Sequence, residues 1–90
     1  MAVLLIAHEL KDILKDYSPF YEAIQKNSSN WWHYLENVWI VKTHLTPDEF
    51  WGKLAKHMYK SDRAIIIRVE KDYQGWLPKD AWEWLNNLKE

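Results

Sequence analysis

Large apolar residues crowd the opening of the chain. Ala2 to Glu9 holds Val3, Leu4, Leu5 and Ile6 in succession, so both alternating faces are apolar. That is the pattern of a central strand covered on two sides. A polar stretch from Lys11 to Asp16, broken by Ile13 and Leu14, leads to Ser18-Pro19, which reads as an N-cap followed by proline at the first helical position. Phe20, Ala23 and Ile24 keep helical spacing up to Gln25-Lys26, and Asn27-Ser28-Ser29-Asn30 ends the helix. Trp31–Leu35 and Val38–Lys42 are aromatic and β-branched runs separated by Glu36-Asn37, the signature of a β-hairpin. With a two-residue loop, Tyr34 falls opposite Trp39, His33 opposite Ile40 and Trp32 opposite Val41. One face then carries Trp31, His33, Leu35, Val38 and Ile40. The other carries Trp32, Tyr34, Trp39 and Val41 as an aromatic cross-strand cluster.

Thr46-Pro-Asp-Glu49 is a capping box with proline at the first helical position and two acids where the helix dipole favours them. Phe50, Trp51, Leu54, Ala55 and Met58 trace one stripe of the helix it opens. Ala64–Val69 is a further β-branched run, Gln74-Gly75 predicts a turn, and Lys79 to Leu88 predicts a last helix with Ala81, Trp84, Leu85 and Leu88 inward. The order is strand, helix, strand, strand, helix, strand and an added C-terminal helix. It predicts an α+β, ferredoxin-like βαββαβ domain over residues 1–90, a four-stranded antiparallel sheet with two helices on one face. The second face needs other cover, from the C-terminal helix or from self-association.

Ninety residues make one domain near the low end of what folds alone. The absence of cysteine excludes a disulfide framework, a thiolate metal site and a cysteine nucleophile. Lys and Arg number 12 against 13 Asp and Glu, so the chain lacks the broad basic footprint of a protein that tracks a nucleic-acid backbone. No segment approaches the roughly 20 apolar residues of a membrane span, and the apolar opening meets His8 and Glu9 too soon for a signal peptide. The expectation is a cytoplasmic protein. Phosphate-binding glycine loops, two-histidine helix motifs and serine elbows are all missing.

Three groups of residues carry candidate chemistry. His8 and Glu9 end the first strand, where a carboxylate suits Mg²⁺ or Mn²⁺, with Glu9 as the metal ligand and both residues as catalytic candidates. Neighbouring strand residues point to opposite faces, so a second carboxylate has to come from elsewhere, and a twofold-related Glu9 is one source. Trp31, Trp32, His33, Tyr34 and Trp39 are candidates for stacking on bases, for a dimer contact or for the fold's own core. Arg68 and Lys42, with Lys11 and Lys71, are candidates for steering a phosphate at one rim of the sheet.

Taken together, Ala7-His8-Glu9-Leu10, the block Trp31-Trp-His-Tyr-Leu-Glu-Asn-Val-Trp-Ile-Val-Lys42, Ser61-Asp62-Arg63 and Gly75-Trp-Leu-Pro-Lys-Asp-Ala-Trp-Glu-Trp84 resemble the SinR-like family of small bacterial and phage proteins. That family is related to the ferredoxin-like CRISPR-associated nucleases and the VapD endoribonucleases, and the resemblance spans essentially the whole chain. It implies a homodimer whose sheets face one another, with the ends of the two first strands meeting near the axis. It also implies a metal-dependent nuclease centre in which His8 stands at an aromatic position and Glu9 at an aspartate position. The expected function is a homodimeric nucleic-acid- or nucleotide-binding protein of microbial defence or counter-defence, divergent as a nuclease. The alternatives are a non-enzymatic binder that sequesters a small nucleotide in its dimer cleft and an inhibitor module that binds another protein.

Overall fold

In the computed structural model, which describes residues 1–88, the elements follow in the predicted order. They are β1 (Ala2–Glu9), α1 (Ser18–Lys26), β2 (Asn30–Leu35), β3 (Val38–Thr43), α2 (Pro47–Leu54), β4 (Arg63–Arg68) and α3 (Lys79–Asn86), with a 3-10 turn at Ala55–His57 extending α2. The sheet runs β2-β3-β1-β4 and every neighbouring pair is antiparallel. This is the ferredoxin-like arrangement, with β1 central as its doubly apolar sequence requires. One face of the sheet holds Leu4, Ile6, Trp39 and Val41 against Phe20, Ala23 and Ile24 of α1 and Phe50 and Leu54 of α2.

The capping box forms as predicted. Thr46 Oγ1 accepts from the Glu49 backbone N at 3.1 Å, and Glu49 Oε1 accepts from the Thr46 N at 3.0 Å. The start of α1 differs from expectation by one residue. Ser18 lies inside the helix and caps nothing; its backbone N donates instead to Asp16 Oδ1 at 2.9 Å. Gly75 has no positive φ, and residues 72–78 run as an irregular strap rather than a turn. The Tyr73 hydroxyl ties that strap to α3 by donating to the Leu85 carbonyl at 3.1 Å.

The hairpin register departs from the simple two-residue expectation. Leu35 pairs with Val38, but Trp32 pairs with Ile40 and Trp31 with Val41, so His33 and Tyr34 together face the single residue Trp39. Two residues against one is a β-bulge, and it reverses the facing of everything N-terminal to it. The predicted cluster of Trp32, Tyr34, Trp39 and Val41 therefore does not exist. Trp39 and Val41 enter the core beneath α1 and α2, while Trp32 and Ile40 enter a second core on the opposite face. The cause lies in the turn. Glu36 and Asn37 keep negative φ, as do all described residues, and such turns splay right-twisted strands. The bulge takes up that mismatch, and His33 Nε2 closes it by donating to the Glu36 carbonyl at 3.1 Å.

The second face is covered in part. Val3, Trp32 and Ile40 pack against Ala81, Leu85 and Leu88, and Trp32 Nε1 donates to the Ala81 carbonyl at 3.2 Å. This core lies over β2, β3 and the start of β1. Ile65 and Ile67 of β4, which share this face with Leu5 and Ala7 of β1, remain 57% and 50% exposed.

Candidate functional site

Glu9 and His8 leave β1 on opposite faces. Glu9 lies opposite Arg63 on the second face, at one end of the uncovered strip, and its Oε1 accepts from Lys11 Nζ at 2.9 Å. That hydrogen bond and the Lys11 charge hold the Glu9 carboxyl below the usual carboxylate range, with Arg63 adding to the effect. Ala7, Glu9, Arg63 and Ile65 border an open hollow of about 330 Å³. Ile13 and Leu14, in the loop after β1, are almost fully exposed. Within one chain these residues do not fit a divalent metal. Glu9 already neutralises one cation and lies beside another, and no group of three His, Asp or Glu side chains converges among the described residues. A metal would have to displace Lys11 and recruit a second carboxylate.

His8 is buried on the α1 side, edge-on to Phe20 at 5.4 Å and tilted against Tyr21 at 6.0 Å. The catalytic role expected of it requires an accessible rim, and the fold places it inside the core. Neither ring nitrogen has a hydrogen-bond partner among the described residues. Burial lowers its pKa below 6.5, and the His33 charge lowers it further. The folded state therefore resists a proton that the unfolded chain accepts. Stability from a neutral His8 is complete above about pH 6.5 and falls as pH drops from there toward the folded pKa. His8→Leu is expected to match or exceed the wild type in stability at pH 7.5 and to lose less stability between pH 6.5 and 5. Urea melts at the two pH values measure this; an equal acid loss in both proteins contradicts it.

Beside this end of β1 sits a residue whose role spacing could not reveal. Asp62 is 7% exposed and gathers three donors: Lys11 N at 2.9 Å and the Tyr17 hydroxyl at 2.7 Å on Oδ1, and Tyr59 N at 2.9 Å on Oδ2. It joins the loop after β1, the start of α1 and the turn before β4. Burial pulls its carboxyl upward, but the three donors outweigh that and hold it below its ordinary value. Ser61-Asp62-Arg63 looks like a turn signal from sequence alone, and nothing in its spacing points to Lys11 or Tyr17, which lie 51 and 45 positions away.

The aromatic and cationic candidates divide among several places. Trp32 and Trp39 are core, so neither presents a stacking face to a ligand. His33 stacks on Trp39 with ring centroids 3.8 Å apart and planes 12° apart. Trp31 and Tyr34 are part-exposed, the latter tilted against Trp32 at 5.3 Å. Lys42 pairs with Val3 and Arg68 with Leu4, five to six residues along β1 from Glu9. At about 3.3 Å per residue both stand about 17–20 Å away, and Lys11 lies at the other end from them. The single cationic rim expected from sequence is thus two separate ends, and Arg68 and Lys42 cannot act on a group held at Glu9 of the same chain.

A cleft that spacing did not indicate opens on the second face beside α3. It encloses about 260 Å³ between Leu5, Val38 and Ile40 of the sheet, the 72–78 strap and Trp82. Trp76 stands at it with 98% of its surface exposed. The lining carries no charged side chain. Trp76 and Trp82 belong to the Gly75–Trp84 segment, whose density of indoles was its sequence signal.

No protein-family model, curated protein or solved structure matches the chain. No described helix is long and apolar enough to cross a membrane.

Proposed function

We propose that the protein is a homodimer of microbial defence or counter-defence that binds nucleic acid or a nucleotide without cutting it, a base stacking in the aromatic cleft of the second face. The carrying observation is that α3 covers only part of that face. It leaves a strip of Ile65 and Ile67 beside a cleft edged by exposed indole. Isoleucines exposed side by side on a sheet favour a partner, and a twofold-related copy offers the same patch in return. The cleft suits a planar, uncharged ring, and stacking of a base on an aromatic side chain contributes about 1–3 kcal/mol. Arg63 at the end of the strip, outside the Lys11–Glu9 ion pair, supplies positive charge for a phosphate. The resemblance to the SinR-like family supports the dimer. Glu9, held between Lys11 and Arg63, is not placed to carry a metal for hydrolysis.

Calorimetry against mono-, di- and cyclic nucleotides tests the reading, with Trp76→Ala as the variant that removes an exposed ring without touching the core. Saturable binding that weakens at least tenfold in the variant is expected, and silence across the panel overturns it. Labelled RNA and DNA should stay intact with Mg²⁺ or Mn²⁺. Cleavage that Glu9→Ala abolishes would establish the nuclease instead, and recovery of a stoichiometric protein partner with no nucleotide response would establish the inhibitor module.

A further inference from the structure

A second hollow lies between α1 and α2, on the side of the sheet away from the isoleucine strip, and encloses about 410 Å³. Its lining draws cations from three elements: Lys26 from the last turn of α1, Lys53 from the last turn of α2, and Lys56 with His57 from the 3-10 turn. Glu22 is the one carboxylate among the lining residues. Neither ion pair found among the described residues, Lys11–Glu9 and Lys79–Glu83, involves any of these side chains. The concentration runs against the chain's own balance, since the whole protein carries a formal charge of −1.

Helix dipoles account for a lysine in a last turn taken singly, because cations are favoured there. They do not account for three elements lining one concave space with amines and a single carboxylate. Concave walls focus the field of such a cluster and raise the local concentration of anions. Against the Glu22 carboxylate the three lysines leave the lining a net charge of about +2 spread over three elements, and a short chain of phosphates reaches more of them at once than a single phosphate does.

We infer that this hollow is an oligophosphate site, taking the phosphate chain of a free nucleotide or an inorganic polyphosphate. The inference does not rest on the aromatic cleft or on the dimer. The hollow is local, and the cations that line it suit a short chain of phosphates rather than a polynucleotide.

Calorimetry of the full chain with sodium tripolyphosphate, pyrophosphate, ATP, adenosine and a single-stranded RNA tests it. The proteins compared are the wild type, the double variant Lys53→Gln/Lys56→Gln and the controls Lys79→Gln and Trp76→Ala. Tripolyphosphate should bind saturably and more tightly than pyrophosphate. The double variant should weaken it at least tenfold, and Lys79→Gln and Trp76→Ala should change it less than twofold. Circular dichroism of the double variant should match the wild type, since both substitutions lie on the surface; if it does not, chemical-shift mapping of tripolyphosphate on the wild type must move Lys53, Lys56 and His57. ATP equal to tripolyphosphate identifies the phosphate chain as what is recognised, and ATP at least tenfold tighter identifies a nucleotide as the source. No saturable heat with tripolyphosphate, equal affinity in a folded double variant, shifts that map elsewhere, or a lysine-dependent response to single-stranded RNA alone would each overturn the inference.

Discussion

Trp32→Ala is expected to cost about 3–5 kcal/mol and to release α3 from the sheet before the rest of the domain unfolds. Trp32 is 2% exposed, fills the space between Val3, Ile40, Ala81 and Leu85, and anchors α3 through its bond to the Ala81 carbonyl. The cavity left by an indole on the second face cannot be filled by Tyr34, which is tied to the edge strand. Hydrogen exchange should show loss of protection across residues 79–88 while β1 and β3 stay protected. Trp39→Ala provides the contrast. Trp39 is equally buried but lies under α1 and α2, so its removal should weaken that core and leave α3 docked. Trp31→Ala, on an exposed edge position, should cost less than about 1 kcal/mol. If Trp32→Ala and Trp39→Ala loosened the same helices, the register with the bulge would be contradicted.

The second large effect belongs to Asp62→Ala, expected to cost about 3 kcal/mol and, for a domain of this size, to lower Tm by about 12–20 °C. The substitution strands the Lys11 and Tyr59 backbone donors and the Tyr17 hydroxyl in a part-buried site. Asp62→Asn should recover little, because its amide offers a donor where the Asp62 Oδ2 accepts from Tyr59 N or where Oδ1 accepts from two groups. The pH dependence has a definite sign. The folded carboxyl lies below its unfolded value of 3.8, so its contribution is complete above that pH and is lost as pH falls through the folded pKa. Thermal melts from pH 7 to 3 should show the gap between the wild type and Asp62→Ala holding steady above about pH 4 and narrowing below it. A constant gap would mean that Asp62 acts through packing rather than through its charge-assisted hydrogen bonds.

Element order, the capping box and the double-faced core of β1 were legible because each rests on local spacing. Proline after Thr46, four large apolar residues in a row and polar breaks at 27–30 act over a few residues. The facing of the hairpin was not legible. A bulge depends on whether the two turn residues adopt positive φ, and Glu36-Asn37 does not declare that in the way Asn-Gly does. One slipped residue then separated Trp32 from Trp39 and dissolved the expected aromatic platform. Likewise Lys42 and Arg68 look like neighbours of Glu9 only until the antiparallel register sends them to the opposite end of β1. Asp62 and the two hollows escaped detection for a related reason. Their residues are brought together from segments distant in the chain or from separate helices, and no spacing along the chain encodes that.

The proposed homodimer has its two copies meet across the bare strip on the second face. Light scattering at about 100 μM, on the wild type and on Ile67→Lys, tests it most directly. The wild type should scatter as twice the 11.0 kDa chain mass and the variant as a single chain, with the variant's circular dichroism unchanged because Ile67 is half-exposed in the isolated chain. A wild type that stays at the mass of one chain, or a variant that remains a dimer, would contradict it.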